Sequence, residues 1–451
     1  MIFNRFKTLC TALMLLATAT VFSQENMPAP AGSPFSLKDC IQYALQNNTD
    51  VRKQNLAVLK TRYQIQEARA AGLPKVNASA QVLDNLILGK QLLPGDIFGQ
   101  PGTVIPVTFG TQYLVPLKIE ATQLLFNKQY TAGLQAAKAA EQLTQTNAAQ
   151  VRESVAYNVA STYYSALLTK EQQNIVQANL DKIGQSVQVA QVQYDNKMIR
   201  RIDVDQLRVS QSNTRAELDN VQVSYTQTLD MLKILMGYPL ADTLVLAGSA
   251  GVIAELPVLP ANGTATNPTL LLLDQQATLK TLESKSIRAQ YYPTVGLVAN
   301  YGNQAQFDKL SDVNWIPSAV LGVAINVPIF DGFQKKRQLQ QRDIELQTLT
   351  LDRQLVQNQL NAQYLNSIRK YRQTQQTAVN QQANLNLAQS VYDAVQNNYK
   401  NGIATLSDLI NADTGLRAAQ TQFLTAQLQV RISSLDVLRA NGTVSSALIK
   451  N

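Results

Sequence analysis

"NYKNGIATLSDLINA", residues 398–412, stops one helix and starts another within a few positions. Tyr399 closes an apolar stripe. Asn401-Gly402 supplies a C-terminal stop, because glycine takes a left-handed backbone at little cost. Thr405, with Asp408 three residues on, is a capping box that opens the next helix. A similar stretch, "QYDNKMIRRIDVDQL", occupies residues 193–207. Tyr194, Asn196 and Asp203 match Tyr399, Asn401 and Asp408 at a constant shift of 205. The chain therefore writes the same helical U-turn twice.

Outward from the turns the correspondence continues. "QANL" occurs at 177–180 and 382–385, and Gly237 matches Gly442. Phe126 in "LLFNK" matches Phe330 in "PIFDG" at a shift of 204, and Pro74 in "RAAGLPKV" matches Pro293 in "RAQYYPTV" at a shift of 219. Two internal repeats follow. The stretch between Pro and Phe is 15 residues longer in the first copy, which suits an exposed loop that tolerates insertion.

After each Phe the apolar pattern is helical. Val176, Leu180, Ile183, Val187, Ala190 and Tyr194 alternate steps of four and three, as do Leu385, Ala388, Tyr392, Val395 and Tyr399. So narrow a seam marks coiled-coil packing. Helices are expected from about Ser36 to Ala71, Tyr130 to Asn196 and Asp203 to Met236. In the second copy they run from about Pro268 to Gln290, Phe333 to Asn401 and Asp408 to Ala440. At 1.5 Å per residue the long helices reach ~100 Å, and two short ones end to end match one long one.

Between Pro and Phe the period changes to two. Val76, Ala78, Ala80 and Val82 alternate with polar neighbours, as do Tyr113, Val115, Leu117, Ile119 and Ala121. Val295, Leu297, Ala299 and Tyr301 repeat the pattern, followed by Ala319, Leu321, Val323, Ile325 and Val327. Strands of this length with one apolar face are what an outer-membrane barrel needs, with Trp315 and Tyr113 as interface anchors. "LPGDIFGQPGTVIP" and "QAQFDKLSDVN" read as loops. Four strands per chain cannot close a barrel, and open edges in lipid leave backbone groups unpaired. The chain is expected to oligomerise. Two copies give eight strands around a filled interior; three give twelve, wide enough for a conduit. Helical tracks also number four per chain, so barrel and helical tube continue into each other.

Composition narrows the chemistry. The first 23 residues read as a secretory signal peptide: Arg5 and Lys7, then an apolar run from Leu9 to Phe22. Cys10 lacks the small residues of a lipoprotein cleavage site before it, and removal of the signal leaves Cys40 alone, so no intrachain disulfide is expected. The formal charge of +8 becomes +6 without Arg5 and Lys7; no long basic block exists, so nucleic acid is not an expected partner. The chain has no histidine, no phosphate loop and no G-x-S-x-G. Histidine triads and histidine metal sites are excluded. Neither an enzyme nor a cofactor is expected. Besides a passive conduit, a trimeric structural or adhesive coiled coil remains as an alternative.

"SLKDCIQYALQNNTDV", "ARAAGLPKV", "PIFDG" and "YKNGIATLSDLINA" together resemble the TolC-like family of outer membrane efflux proteins, over about residues 36–443. The resemblance implies an α+β membrane protein. Its homotrimer would form a twelve-stranded β-barrel, four strands per chain, in outer membrane lipid, continuous with a long α-helical coiled-coil tunnel across the periplasm. It implies a periplasmic adaptor and an inner-membrane pump as partners, in tripartite efflux or type I secretion. The expected organisation is a signal peptide over 1–23 and a first repeat over 24–237 with its hairpin at 75–122. An equatorial linker over 238–266 precedes a second repeat over 267–442 with its hairpin at 294–328, then a tail over 443–451.

By the same resemblance the U-turns are the periplasmic tips. The gate residues carried over are Asp408 and Asn411 on the narrowing rings, Tyr399 of a latch, and Asp203 as its acidic partner. Asn411 departs from an acidic position and Ala404 from the latch arginine, so weaker ionic closure is expected. Asn196, Lys197, Arg200, Arg201, Asn401, Gly402 and Ile403 are the expected adaptor-contact tips. Lys197 occupies the position of Gly402. A non-glycine residue there costs about 1 kcal/mol in the left-handed region, so the first tip is expected to turn differently, or through Asn196.

Overall fold

The computed structural model describes residues 34–248 and 267–450. The expected signal peptide over 1–23 and most of the expected linker over 238–266 lie outside the described residues. The helices are α1 Leu37–Asn47, α2 Thr49–Ala70, α3 Lys128–Asp195, α4 Arg201–Met236, α5 Pro268–Ala289, α6 Gln334–Lys400, α7 Leu406–Asn441 and α8 Val444–Lys450. The strands are β1 Lys75–Ala80, β2 Leu83–Asp84, β3 Lys90–Pro94, β4 Val104–Thr108, β5 Tyr113–Phe126, β6 Thr294–Phe307 and β7 Asn314–Asn326.

The long helices α3 and α6 hold 68 and 67 residues, ~100 Å each. On one side of the waist the packing order is α2, α3, α5, α6; on the other it is α4, α3, α7, α6. Short helices therefore meet end to end along the long ones. Where α4 meets α2, Gly237 has φ +72, and a Cβ there would lie 2.5 Å from the Asn47 carbonyl oxygen. Where α7 meets α5, Gly442 has φ +74, and a Cβ would lie 2.6 Å from Pro268 Cδ. Both ends are closed by an asparagine side chain: Asn48 Nδ2 donates to the Leu235 carbonyl at 2.7 Å and Asn267 Nδ2 to the Ala440 carbonyl at 3.0 Å.

One expectation fails here. Residues 36–71 are not one helix, since Asn48 breaks the run. Its side-chain oxygen accepts from the Asp50 and Val51 amides at 2.8 and 3.2 Å, capping α2, while its amide group reaches α4. A capped break satisfies backbone donors that a continuous helix would have paired internally, and it lets α1 fold inward. Ile41, Cys40 and Ala44 of α1 are fully buried with Val159 of α3, and Leu232 and Met236 of α4. Phe35 forms a parallel bridge with Leu246, and the Tyr163 hydroxyl donates to the Ala247 carbonyl beside it. This waist cluster is the largest buried cluster among the described residues. It pushes the Cys40 thiol up to about 12 by burial, so the cysteine is packing rather than a nucleophile.

The main sheet is an antiparallel meander: β1 and β2 both pair with β5, β5 with β6, and β6 with β7. Its register aligns Val76, Ala121, Ala299 and Leu321, then Ala78, Ile119, Tyr301 and Ala319. Successive residues alternate faces, so one face is apolar across all four tracks. The other carries Asn77, Lys118, Asn300 and Ser318. The apolar face is uncovered: Val76, Ile119, Leu321 and Ile325 are all exposed. The expected loop at 93–106 also differs, because it contains parts of a second ribbon in which Leu92 pairs with Pro106 and Leu93 with Ile105. Pro94 ends β3, the glycines lie in the connection, and Pro106 sits in the middle of β4 opposite Leu92, tolerated because both strands of a two-stranded ribbon are edge strands.

Candidate functional site

Each tip is a short connection, 196–200 between α3 and α4, and 401–405 between α6 and α7. The two turns have the same backbone. At the first, the Lys197 amide donates to the Tyr194 carbonyl and Met198 to Gln193, both at 2.8 Å. At the second, Gly402 donates to Tyr399 at 3.0 Å and Ile403 to Asn398 at 2.8 Å. Gly402 has φ 71 and Lys197 has φ 60. The expectation that the first tip turns differently is overturned: Lys197 itself takes the left-handed conformation. Its cost of about 1 kcal/mol is offset by two helix-ending hydrogen bonds, each contributing about 1 kcal/mol net. Asn196 stays at φ −84, with its side chain donating to the Val192 carbonyl at 2.9 Å.

The following helices start with different chemistry. At the second tip Thr405 and Asp408 form a full capping box. The Thr405 amide donates to Asp408 Oδ2 at 2.9 Å, the Thr405 hydroxyl to the same oxygen at 2.7 Å, and the Asp408 amide to Thr405 Oγ1 at 3.2 Å. These bonds from Thr405 hold the Asp408 carboxyl below the usual range. At the first tip Asp203 accepts from the Arg200 amide at 3.0 Å and from its guanidinium at 3.2 and 3.4 Å. Arginine has no acceptor to return, so the box is half made.

Beneath the turns the two tips share one apolar cluster. Ala190, Val204 and Leu207 from the first meet Tyr392, Leu406, Leu409 and Leu416 from the second. Tyr399 packs half-buried against this cluster. Burial, then the charge of Asp203, push its hydroxyl pKa up, so it remains a neutral donor. Among the described residues no hydrogen bond joins Tyr399 to Asp203, whose carboxylate is occupied by Arg200. Asp408 and Asn411 are exposed and line one groove with Val391, Val395 and Leu416. Asn401, Gly402, Ile403, Lys197, Arg200 and Arg201 all project at the tips, Arg201 beside Asp205 at 3.7 Å.

Sequence reading missed Arg417. On α7, about two and a half turns from Asp408, its guanidinium lies against Asp413 and donates to Thr214 Oγ1 of α4 at 2.5 Å. Thr214 is 1% exposed, and its own hydroxyl donates to the Ser210 carbonyl at 2.9 Å. Further from the tips, Asn179 meets Gln420 at 3.2 Å and the Tyr157 hydroxyl meets Asp436 at 2.7 Å. Arg417 is thus the charged link between the two helix pairs that lies nearest the tips among these. Only its i, i+4 spacing from Asp413 was visible in the sequence.

A sheet with an uncovered apolar face, carried on helices ~100 Å long that end in paired polar turns, fits a membrane channel protein. The family model described as outer membrane efflux protein matches residues 40–238 and 264–443, and the chain belongs to that family. The outer membrane efflux protein BepC of Brucella suis is 22% identical over 96% of this chain and 91% of its own length. The probable efflux pump outer membrane protein TtgC of Pseudomonas putida is 24% identical over 90% of this chain and 83% of its own. The solved MtrE outer membrane channel of Neisseria gonorrhoeae has the same fold, with a TM-score of 0.70 at 18% identity, covering 90% of this chain and 88% of that one. The chain is an outer-membrane efflux or secretion channel protein whose helices extend into the periplasm.

Proposed function

We propose that three copies close into one tube, a twelve-stranded barrel continuous with a twelve-track helical tunnel, built from two internal repeats per chain. Adaptor and pump contact at the tips opens it, and the tube itself performs no catalysis and holds no cofactor. The observation that carries this reading is the pair of unlike open edges. One edge is made of β1, α2 and α4; the other is made of β7 and α6. The strands β1 and β7 are exposed along their whole lengths. On the helices each edge shows an unpartnered apolar series: Leu56, Leu59 and Tyr63 on α2, Val209 and Val223 on α4, and Ile344, Leu351, Leu365 and Val379 on α6. The α6 series falls at steps of 7, 14 and 14 residues, multiples of the coiled-coil repeat, with Asn358 and Arg372 at the two intervening positions. Joining unlike edges is a head-to-tail contact, which gives a ring when the rotation between copies closes, and a sheet in lipid must close to pair its edge strands.

Val223 and Val379 lie at nearly the same distance in residues from their tips, so they support a direct experiment. The pair Val223→Cys with Val379→Cys, oxidised in membranes, is expected to give covalent ladders ending at three chains on a denaturing gel. Crosslinking confined to single chains, or ending at two, contradicts the ring.

For the gate, Asp408 and Asn411 form the constriction, while Tyr399, packed on the apolar cluster that the two tips share and near the charge of Asp203, holds the second tip against the first. Asp408→Ala together with Tyr399→Phe is expected to raise leak conductance in planar bilayers. Unchanged conductance would leave Asp408 as a helix cap alone.

A further inference from the structure

The chain's positive charge is gathered in one place. Four crossings join helices to the sheet: residues 69–75, 126–131, 288–294 and 327–337. They contain Arg69, Lys75, Lys128, Arg288, Lys335, Lys336 and Arg337, against one acid, Asp331, a net +6. The whole chain carries +8, of which Arg5 and Lys7 supply two, so the remainder of the chain is neutral overall.

The crossings are held together as a collar. Gln123 Nε2 donates to the Gly72 carbonyl at 2.7 Å, and the Tyr130 hydroxyl to the Arg69 carbonyl at 3.2 Å. Lys128 Nζ lies 3.5 Å from the ring centroid of Tyr292, and Lys335 Nζ 5.0 Å from that of Tyr291. Lys335 also pairs with Asp331 at 3.1 Å. The other six cations are exposed, and among the described residues none of them makes a salt bridge.

Beside these cations the surface is apolar. Ile329 is 95% and Phe330 76% exposed, with Phe330 and Phe333 meeting edge to face at 5.5 Å. A groove runs along Leu124, Leu125 and Phe126, with Lys128, Tyr130 and Tyr292 at its rim. Aromatic rings beside long cationic side chains, at the end of an apolar strand face, suit a membrane–water boundary. Lysine and arginine stems lie along apolar surface while their heads reach the phosphate level.

We propose that this collar binds anionic phospholipid headgroups of the leaflet that borders the helices, with acyl chains along the groove and the 327–333 segment. Charge complementarity selects the occupant: six cations without a carboxylate partner among the described residues favour phosphate-bearing anionic lipid over zwitterionic lipid. The inference rests on the reading that the sheet crosses the membrane.

The test uses the full protein in nanodiscs of equal phosphatidylcholine and phosphatidylglycerol, with retained lipid read by native mass spectrometry. The wild type is expected to retain phosphatidylglycerol several-fold over phosphatidylcholine. The preference falls several-fold in the variant Lys75→Gln, Lys128→Gln, Lys336→Gln, Arg337→Gln, and falls again in ~1 M salt, where the screening length is about 3 Å. Inorganic phosphate at the lipid's concentration is expected not to displace it; displacement would mean a simple anion site and overturn the proposal. Equal retention of the two lipids also overturns it, as does a preference indifferent to both salt and substitution. So does altered ion selectivity in planar bilayers with lipid preference intact, which would put the collar inside the conduit. If the fourfold variant does not assemble, the wild-type salt titration decides. The same spectra count chains: a trimer without lipid preference fails the collar alone, and lipid preference on a particle that is not a trimer fails the ring alone.

Discussion

The two tips share a backbone and differ in nearly every side chain that stabilises it. The second uses Gly402 for the left-handed residue and Thr405 with Asp408 for a complete capping box; the first uses Lys197 and a half-made box from Arg200 and Asp203. The fold therefore demands the turn, not its chemistry. Each tip has a carboxylate in a groove, but Asp205 at the first pairs with Arg201 and Arg208, whereas Asp408 shares its groove with Asn411 and no cation, so the gate reading falls on the second tip.

The comparison breaks most visibly at the link between the tips. Arg417→Ala removes a charged hydrogen bond onto buried Thr214 and leaves Asp413 unpaired, and is expected to destabilise the lower helices by about 2 kcal/mol. Hydrogen exchange of the 406–416 amides against those of 201–214 checks this, since both should lose protection together. Loss in one tip alone would show that the pairs are not joined there. Arg417→Lys should recover part of the protection through Asp413.

The left-handed positions sharpen it next, with opposite signs. Lys197→Gly is expected to stabilise and Gly402→Ala to destabilise, each by about 1 kcal/mol, read as shifts in denaturation midpoint. Equal signs would contradict the shared backbone. Thr405→Ala removes the hydroxyl half of the second box, at about 1 kcal/mol. Arg200→Ala, losing an exposed pair at the first, is expected to change stability by about 0.5 kcal/mol or less.

Asp408 also makes the second tip acid-sensitive. Its carboxyl is held below the ordinary value of 3.8 by Thr405. The stabilisation is therefore complete above that value and is lost as pH falls through it and below. Amide protection at 406–409 should drop in that acid window, and Thr405→Ala should flatten the dependence. A loss on raising the pH instead would contradict the assignment.

Much of this was legible in the sequence because it is periodic or punctuated. Asn401-Gly402 and Thr405 with Asp408 mark the second tip by local chemistry alone, and the alternation of Val76 to Val82 and Ala319 to Val327 gave the apolar face of the sheet. What was hidden depends on partners far away in the chain. Asn48 looks like an ordinary helical residue until Leu235, 187 positions on, presents its carbonyl. Arg417 reads as a surface pair with Asp413 until Thr214 arrives from 203 positions away. Lys197 is strained only because α3 and α4 must pack side by side, which no local signal states. Pro94, Gly95 and Pro106 read as loop punctuation, yet both prolines lie within a ribbon whose cross-strand pairing punctuation does not reveal.

The most direct test is the chain count of the detergent-purified particle by native mass spectrometry. Three chains per particle, lost only on denaturation, is the predicted result. A particle of two chains, or a stable monomer that needs no detergent, would contradict the joining of unlike edges on which the barrel, the tunnel and the gate all depend.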